Sequence, residues 1–418
     1  MNTPHMGLKY SAEQGGAFLS ERASFIDGVP ILNNERARLA LRLALSVYLF
    51  IASLEGVKSG FKLIFAEWQT GILGMITADT APMTGLALGM LSTALVQSSS
   101  AVVAATMVSM SGMVASGLPL EAAIQFGVPM VLGANIGTTV TNTIVAFGIQ
   151  RGMTMNEFKD TIPGVIVDDV YEALTIAIFF VLELSTGIIS RTVLRLGSFY
   201  TEVLKMEEFF AAFDKTIVDM VIGDPLINPT KALAVGFLGD RFGGVFLFLV
   251  WFVVIIVSMG MITKGLEKII EMEWEDKVKA AFENPYRGFA TGFGITFLVG
   301  SSSIGSSLVI PFLATKVVSL KTAYPYLVGC NMATTVDLSQ IYGYVAGGVV
   351  GMILGSAHVL LNILALTLWL ISPLRVVPVR TAEWLGAKIT RNQNAAYALL
   401  AWVVGVFFVV PILVIYLF

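Results

Sequence analysis

The chain has 418 residues, of which 56% are hydrophobic and only 13% charged, and its mean hydropathy is +0.80. A soluble protein needs about a quarter of its residues charged to cover its surface, so we predict an all-α integral membrane protein with lipid around much of the chain. The net charge of −3 and the lack of a basic run exclude a nucleic-acid-binding protein. A single cysteine, Cys330, excludes an internal disulfide, and two distant histidines exclude a histidine metal site.

The N-terminal segment, 1–37, is polar and lacks the basic start and short apolar core of a signal peptide. We expect it to be cytoplasmic and to precede a first repeat over 38–189. An amphipathic linker at the membrane interface, 190–242, then leads to a second repeat over 243–372. Residues 373–418 form a C-terminal segment that contains the last transmembrane helix.

Seven apolar segments are long enough to cross a bilayer core, which takes about 20 helical residues. In chain order they are 38–64, 122–147, 162–188, 243–263, 322–345, 347–371 and 395–417. Two further segments, 85–112 and 288–314, are apolar at both ends but serine-rich at the middle. Polar backbone at membrane depth is tolerated only where it is buried in protein or lines a cavity. These two segments are therefore predicted to be re-entrant hairpins.

The distribution of Lys and Arg predicts the orientation, because cytoplasmic loops carry an excess of them. With the N-terminus inside, most basic residues fall in cytoplasmic segments. The linker holds six more, among them Arg191 and Lys205, together with many acids. We predict a multi-pass protein of the cell membrane with a cytoplasmic N-terminus.

The chain contains an internal repeat. Residues 85–100 match 288–303 at nine of sixteen positions, and both copies end in three serines. Residues 129–140 match 325–336 at six of twelve positions, in the pattern Pro-x-x-x-Gly-x-Asn-x-x-Thr-Thr-Val. Each copy contributes three crossings, an odd number, so the second copy must enter the membrane from the opposite face. Inverted repeats are typical of secondary transporters, whose binding sites lie near the midplane where broken elements meet.

The serine triplets are the first candidate site: Ser98, Ser99, Ser100, Ser301, Ser302 and Ser303. A hairpin tip exposes backbone N–H groups at a helix N-terminus, and these groups bind an anion with the help of the helix dipole. Serine hydroxyls can donate to the same anion or ligate a cation through oxygen. The alternative is a structural role, in which small residues let helices pack closely.

The second candidate site consists of the Asn-x-x-Thr-Thr elements that follow each hairpin: Asn135, Thr138, Thr139, Asn331, Thr334 and Thr335. A proline and a glycine precede each element and loosen the helix there. Unwound carbonyls with Asn and Thr oxygens are ligands that transporters use for sodium. Hydrogen bonding between helices is the alternative.

Acidic side chains inside a membrane are costly and usually functional. They are Glu55, Asp168, Asp169, Glu172, Glu183 and Asp337. Unpaired carboxylates at this depth require cations, either sodium or protons. Glu55 could instead pair with Lys58 or Lys62, and Glu183, near a predicted boundary, could simply be solvated. No histidine stands near the serine triplets in the sequence, so no nucleophile–base pair is indicated and we do not expect an enzyme.

At these residues the sequence resembles the bacterial-type members of the type II sodium-dependent phosphate cotransporter family. The QSSS signature of the family stands at 97–100, and its GANIGT-VTNTIVA segment is matched at 133–146 as GANIGTTVTNTIVA. The first crossing, LFIASLEGVKSGFKL at 49–63, and AYPYLVGCN at 323–331 also look like family segments. The likeness covers both repeats.

The resemblance implies that inorganic phosphate binds between the two serine triplets. It also implies that sodium, the one coupling ion and the only cofactor, is held by oxygens of Gln97 and of the Asn and Thr residues. The family's His-Asp-x-x-Asn element reads here Asp168–Asp169–Val170–Tyr171–Glu172, so Asp169 matches an acid associated with an extra sodium and electrogenic transport. His358 and Asn362 keep the same spacing in the second repeat.

The chain departs from the family pattern in four ways. Gly300 replaces the second Gln of the family pattern, and Ala333 replaces a Gly. Glu172 replaces an Asn, and Asp337 replaces a neutral residue. Added carboxylates near an anion site would repel phosphate unless a cation screens them. We therefore group Glu172 and Asp337 with the sodium ligands.

These observations predict a sodium-coupled phosphate symporter that works by alternating access. In the lipid bilayer, sodium would bind first and neutralise the acids, which raises the affinity for the anion. Two alternatives stay open at this point. One is the same fold with another small anion or an organic solute as substrate, and the other is a channel or a sensor without transport.

Overall fold

The structure is a computed structural model, and it describes residues 35–77, 79–96, 98–138, 142, 155–205, 225–273, 282, 284–314, 318–391 and 395–417. Within these ranges every regular element is a helix, which confirms the all-α prediction. The α-helices are α1 Glu35–Thr77, α2 Ala81–Val96, α3 Ser99–Ala115, α4 Leu120–Gly137, α5 Met155–Thr186, α6 Ile188–Ser198, α7 Asn228–Glu273, α8 Pro285–Val299, α9 Ser302–Ser307, α10 Ile310–Ala314, α11 Leu320–Ala333, α12 Leu338–Leu366, α13 Val376–Ile389, α14 Ala395–Val404 and α15 Val410–Leu417.

Both predicted hairpins are broken at their serine triplets. In the first, Ser98 is the N-cap of α3, and its side chain accepts a hydrogen bond from the Ala101 N–H at 3.3 Å. In the second, α8 ends at Gly300, whose φ of 66° is left-handed, and α9 begins at Ser302. A left-handed residue after a helix end is easy for glycine and costly for other residues. The two hairpins are therefore broken at equivalent places of the repeat.

Helix pairs with equivalent sequences pack in the same way in the two repeats. The α4 helix lies against α2, and a Cβ placed on Gly133 would be 2.0 Å from the Leu86 carbonyl oxygen. The α11 helix lies against α8, and a Cβ on Gly329 would be 2.2 Å from the Phe289 carbonyl oxygen. Each pair of residues in the first repeat is equivalent by sequence to the pair in the second. The glycine of the repeated motif is thus required for backbone contact between helices.

The second arm of each hairpin packs against the other repeat. The α3 helix contacts α12, where a Cβ on Gly343 would lie 2.5 Å from the Met107 sulfur. The α10 helix contacts α5, where a Cβ on Gly164 would lie 2.5 Å from Leu313 Cδ1. Each of the two hydrophobic cores consequently contains residues from both halves.

Three breaks shape the helices around these cores. Gly187, with φ 60°, separates α5 from α6, and the stretches on either side differ in direction by 73°. The residues Thr334–Asp337 separate α11 from α12. Gly348, with φ 56° and ψ −140°, kinks α12 close to the predicted boundary between the crossings 322–345 and 347–371. These positions are where the chain can change direction without a loop.

Among the described residues, two helical stretches are long and apolar enough to span a bilayer: Leu120–Gly137 and Leu320–Ile371. A third is added if the bent pair Phe158–Thr186 and Ile188–Val203 counts as one span. The predicted crossings 38–64, 243–263 and 395–417 fall within helices. Residues 1–34 and 206–224 of the predicted N-terminal segment and linker lie outside the described residues. The inverted orientation and the domain boundaries stay predictions.

Candidate functional site

The serine triplets form buried breaks in both repeats. All six serines are at most 5% exposed. The Ser98 hydroxyl is used as a helix cap. The hydroxyls of Ser99 and Ser302 make no hydrogen bond with any residue of the described chain, so both can bind a ligand. Gln97, predicted to ligate sodium, lies outside the described residues.

Asp168, on α5, is the centre of one buried polar network. Its carboxylate accepts a hydrogen bond from Asn331 Nδ2 at 2.8 Å and another from Asn142 Nδ2 at 3.2 Å. The Oδ1 atom of Asn142 accepts from the Ser306 hydroxyl at 2.8 Å. Asp168 and Asn142 belong to the first repeat, and Asn331 and Ser306 to the second. The network therefore joins the two halves at the ends of their broken helices.

His358, on α12, is the centre of a second buried network. Its Nε2 atom lies 2.8 Å from Asn135 Oδ1, and its Nδ1 atom lies 3.3 Å from Gln340 Oε1. Gln340 Nε2 donates to the Ser100 carbonyl oxygen at 2.9 Å. This network also joins the two halves, because Asn135 and Ser100 belong to the first repeat. Both networks thus connect a broken helix of one repeat to a helix of the other.

The two networks are related by the internal repeat. Asn135 and Asn331 are equivalent in the matched segments, and His358 follows Asp168 by the same 190 residues that separate Asn362 from Glu172. Polar groups in a low-dielectric interior are costly unless they are paired, so complete networks of this kind hold a specific arrangement. The structure places the predicted asparagines at the contact between the repeats.

The threonines of the repeated element bind their own helix ends. Thr138 Oγ1 donates to the Asn135 carbonyl at 2.5 Å, and Thr334 Oγ1 donates to the Asn331 carbonyl at 2.6 Å. Thr335 Oγ1 donates to the Met332 carbonyl at 2.8 Å. These bonds are within one helix end and not between helices, and they leave the hydroxyl lone pairs available to a cation. Thr139 lies outside the described residues.

Two acidic side chains keep a buried oxygen without a hydrogen-bond partner in the described chain. One is Glu172 Oε2, and the other is Asp337 Oδ2. Asp337 Oδ1 serves as the N-cap of α12 and accepts from the Gln340 N–H at 3.0 Å. A buried carboxylate oxygen without a donor is costly, and a bound cation would remove that cost. Asp169 is also buried, at 2% exposure.

No group of three or more His, Cys, Asp or Glu side chains in the described chain could hold a metal ion. A sodium site here would therefore consist mainly of neutral oxygens, with single carboxylates added. That donor set is the one predicted from the Asn and Thr residues, and these residues fit a monovalent cation better than a transition metal.

Of the two alternatives for Glu183, the solvated one is excluded by the structure. The side chain is 8% exposed, and its carboxylate accepts hydrogen bonds from the Ile189 N–H at 2.8 Å and from the Ser190 hydroxyl. It therefore caps the first turn of α6 after the bend at Gly187. The Glu55 side chain is outside the described residues.

Sequence reasoning missed four members of the networks as binding residues: Asn142, Ser306, Gln340 and His358. Asn142 lies seven residues after Asn135, whereas Gln340 lies nine residues after Asn331, so the repeat does not align them. Asp168 was noticed as an intramembrane acid but was not assigned to the site. Its partners are up to 163 residues away in the chain, and no local pattern could have identified them.

Comparisons with known proteins assign the chain to a family. The family model described as Na+/Pi-cotransporter matches residues 49–166 and 254–381, which is more than half of the chain and includes both repeats. Sodium-dependent phosphate transport protein 2A of Ovis aries is 27% identical over 419 residues, covering 83% of this chain and 63% of that protein. Sodium-dependent phosphate transport protein 2B of Homo sapiens is 26% identical over 453 residues, covering 88% of this chain and 63% of that protein.

The chain thus spans less than two thirds of the length of these curated relatives. No solved structure matches it. The family match covers the two segments that carry the serine triplets and the Asn-x-x-Thr-Thr elements, and by this match the chain belongs to the Na+/Pi-cotransporter family.

Proposed function

We propose that the protein is a sodium-coupled symporter for inorganic phosphate that works by alternating access and is electrogenic. The observation that carries this proposal is the pair of buried polar networks, each of which joins a broken helix of one repeat to a helix of the other. A site shared between two halves changes its access when the halves move relative to each other. The named activity of the relatives supports the choice of substrate and coupling ion.

The anion is proposed to bind at the two serine triplets. Ser99 and Ser100 lie in the first turn of α3, a helix of 17 residues whose N-terminus is buried. Free N–H groups and the helix dipole favour a negative charge there. On the other side, Ser301, Ser302 and Ser303 supply hydroxyls from the break between α8 and α9. The site needs no Lys or Arg to hold phosphate.

The cations are proposed to bind next to the anion. The ligands in this proposal are the oxygens of Gln97, Thr138, Thr139, Asp169, Glu172, Asn331, Thr334, Thr335 and Asp337. Asn135 was grouped with them from the sequence and stays in this set; its side-chain amide contacts His358 Nε2 at 2.8 Å. Sodium bound first would neutralise the carboxylates and so remove their repulsion of phosphate.

The test is uptake of radiolabelled phosphate into proteoliposomes that contain the purified protein. We expect an inward sodium gradient to drive phosphate above its outside concentration, and we expect an equal potassium gradient to give only the background. Uptake of the same size in both gradients would refute sodium coupling. Phosphate uptake that never raises the inside concentration above the outside concentration would indicate a channel.

Electrogenic transport is tested in the same vesicles with a membrane potential set by potassium and valinomycin. One net positive charge moved inward is worth about 2.3 kcal/mol at 100 mV. A potential of −100 mV inside should therefore raise the phosphate accumulation ratio about fiftyfold. An accumulation ratio that does not change with the membrane potential would show electroneutral transport.

A second candidate is the transport of another small anion or of an organic solute by the same fold. It is favoured by Glu172 Oε2 and Asp337 Oδ2, which have no hydrogen-bond partner in the described chain. These oxygens could accept hydrogen bonds from a substrate's hydroxyl or amino groups. The two candidates are distinguished by adding sulfate, arsenate or small carboxylates as competitors and measuring the inhibition of phosphate uptake. Inhibition by arsenate alone would support phosphate as the substrate.

A further inference from the structure

We propose that Asp337 holds a sodium ion between its carboxylate and the anion at the first serine triplet, so that the carboxylate and phosphate share this ion. The inference deepens the proposed function and rests on it. It assigns one particular sodium to one particular acid, and it makes that sodium a condition for anion binding. The shared ion would lie where the broken helix of the second repeat meets the hairpin of the first.

Asp337 lies in the break between α11 and α12, at the start of α12, and its side chain is completely buried. The Oδ1 atom accepts a hydrogen bond from the Gln340 N–H at 3.0 Å and thereby caps the helix. The Oδ2 atom has no hydrogen-bond partner in the described chain. One carboxylate oxygen thus has a structural role, and the other can bind a ligand.

The first repeat supplies the neighbour of this carboxylate. Ser100, the last serine of the first triplet, contacts the Asp337 carboxylate through its side chain. The Ser100 carbonyl oxygen accepts from Gln340 Nε2 at 2.9 Å, and Ser100 Oγ lies 3.4 Å from Ser98 Oγ. The N-terminus of α3, where the anion is proposed to bind, therefore lies next to the N-terminus of α12.

The charges at this junction require a cation when the anion is bound. A helix N-terminus favours a negative charge, and α12 has the Asp337 carboxylate there, whereas α3 would have phosphate. The two anions repel each other, and charges interact strongly in a buried site of low dielectric constant. Neither α3 nor α12 contains a Lys or Arg, and no Lys or Arg of the described chain forms an ion pair with Asp337.

A sodium ion between Asp337 Oδ2 and phosphate would remove this repulsion, and the Ser100 hydroxyl can add a further oxygen ligand. A role as a helix cap alone would not need the charge, because asparagine, aspartate and serine cap helices about equally well. Capping also leaves the second carboxylate oxygen buried without a partner, which is costly. A cation explains the carboxylate at this position, and the cap does not.

The first test compares Asp337→Asn with the wild type in proteoliposomes, under an inward sodium gradient of about tenfold and without a membrane potential. Asparagine keeps the cap and removes the charge, so the Tm of the variant without ligands should be unchanged. At equilibrium each coupled sodium multiplies the phosphate accumulation ratio by the sodium concentration ratio. Loss of one coupled sodium should therefore lower the accumulation ratio about tenfold.

Glu121→Gln is the matched control. Glu121 lies in the first turn of α4, much as Asp337 lies at the start of α12, but its side chain is exposed. This variant should keep the accumulation ratio of the wild type. An Asp337→Asn protein with the wild-type accumulation ratio would overturn the inference, because the number of coupled sodium ions would not depend on the carboxylate.

If Asp337→Asn fails to fold, two other variants test the same ion. Asp337→Ser keeps a capping oxygen without the charge, and Ser100→Ala removes the ligand on the side of the first repeat. The rise in Tm of the purified variants is measured against sodium concentration without phosphate. Each variant should need about tenfold more sodium for the half-maximal rise, whereas Ser99→Ala should need the same amount as the wild type. Unchanged sodium constants in Asp337→Ser and Ser100→Ala would refute the shared ion.

The wild type distinguishes a failure of this inference from a failure of the proposed function. If the wild type accumulates no phosphate under a sodium gradient and its Tm does not rise with sodium, the proposed function fails. If the wild type shows both effects and Asp337→Asn keeps the full accumulation ratio, sodium coupling holds and only the assignment of Asp337 fails.

Discussion

At the scale of single residues, the three serines of a triplet have different tasks. In the first triplet the Ser98 hydroxyl caps α3, whereas the Ser99 hydroxyl has no hydrogen-bond partner in the described chain although the side chain is buried. Ser302 is in the same situation in the second triplet. A hydroxyl that is not used by the described chain can donate a hydrogen bond to a ligand at the helix break.

We therefore predict that Ser99→Ala and Ser302→Ala each abolish phosphate uptake while the Tm without ligands stays the same. Because neither hydroxyl bonds to the described chain, its removal should leave the stability unchanged, but it would remove a donor to the proposed anion. Ser98→Ala should instead lower the stability by about 1 kcal/mol, as expected for loss of a helix cap. Uptake assays and thermal unfolding of the purified variants measure both effects.

The control for this prediction is Ser185→Ala. The Ser185 hydroxyl is exposed and bonds to carbonyls of its own helix, so uptake should be unchanged. Normal kinetics in both Ser99→Ala and Ser302→Ala would remove the triplets from the anion site.

At the scale of elements, each repeat depends on a close approach between a hairpin arm and the helix that follows. The glycines of the repeated motif allow this approach, and an added methyl group would overlap a backbone oxygen that cannot move aside. The same pair of elements carries the serine triplet and the asparagine. Packing at the glycines therefore sets the distance between the proposed anion ligands and the proposed cation ligands.

We predict that Gly133→Ala and Gly329→Ala each lower the stability by about 1–3 kcal/mol, as overpacking does, and reduce uptake in parallel. The backbone shift that relieves the overlap would separate the two ligand sets. Thermal unfolding and sodium-driven uptake are measured on the same preparations.

Gly294→Ala is the matched control, because nothing lies within 4 Å of a Cβ at that position of α8. This variant should keep its Tm and its uptake. Wild-type behaviour of both Gly133→Ala and Gly329→Ala would show that the helices are further apart than the structure has them.

At the scale of the whole molecule, the second arm of each hairpin packs against the other repeat. Since α3 packs on α12 and α10 packs on α5, neither half has a complete core of its own. A relative movement of the halves must change these contacts. A cross-link at one of these contacts between the repeats therefore tests alternating access directly.

We predict that the double variant Ala104→Cys and Gly343→Cys, in a Cys330→Ser background, forms a disulfide that stops uptake. A Cβ on Gly343 would lie 3.2 Å from the Ala104 Cβ, close to the separation of about 3.8 Å in a disulfide. Oxidation should cross-link α3 to α12 and prevent their relative movement. Gel mobility after cleavage of the chain between the two cysteines reports the bond, and uptake reports its effect.

Reduction should restore uptake, and each single-cysteine variant should transport before and after oxidation. A cross-linked protein that still accumulates phosphate would show that α3 and α12 move as one body, so that access must change elsewhere.

Much of the fold could be predicted from local patterns in the chain. Composition and hydropathy determine the all-α membrane class, and the duplicated motifs locate both helix breaks, because a serine triplet and a Pro-x-x-x-Gly-x-Asn spacing act on the backbone within a few residues. The triplets and the repeated Asn and Thr residues were identified in this way. Glu183 was misjudged, since its partners follow a bend of the chain that hydropathy does not reveal.

By itself the sequence determined that two similar units lie in a membrane and which polar residues they contain. Only the tertiary structure decided which atoms of those residues meet. Asn331 contacts Asp168 across 163 residues, and Asn135 contacts His358 across 223. The repeat predicts that the two asparagines are equivalent, whereas their partners differ, a carboxylate for Asn331 and an imidazole for Asn135. The physical reason is that a hydrogen bond fixes the direction of an amide, and that direction depends on a neighbour brought close only by folding.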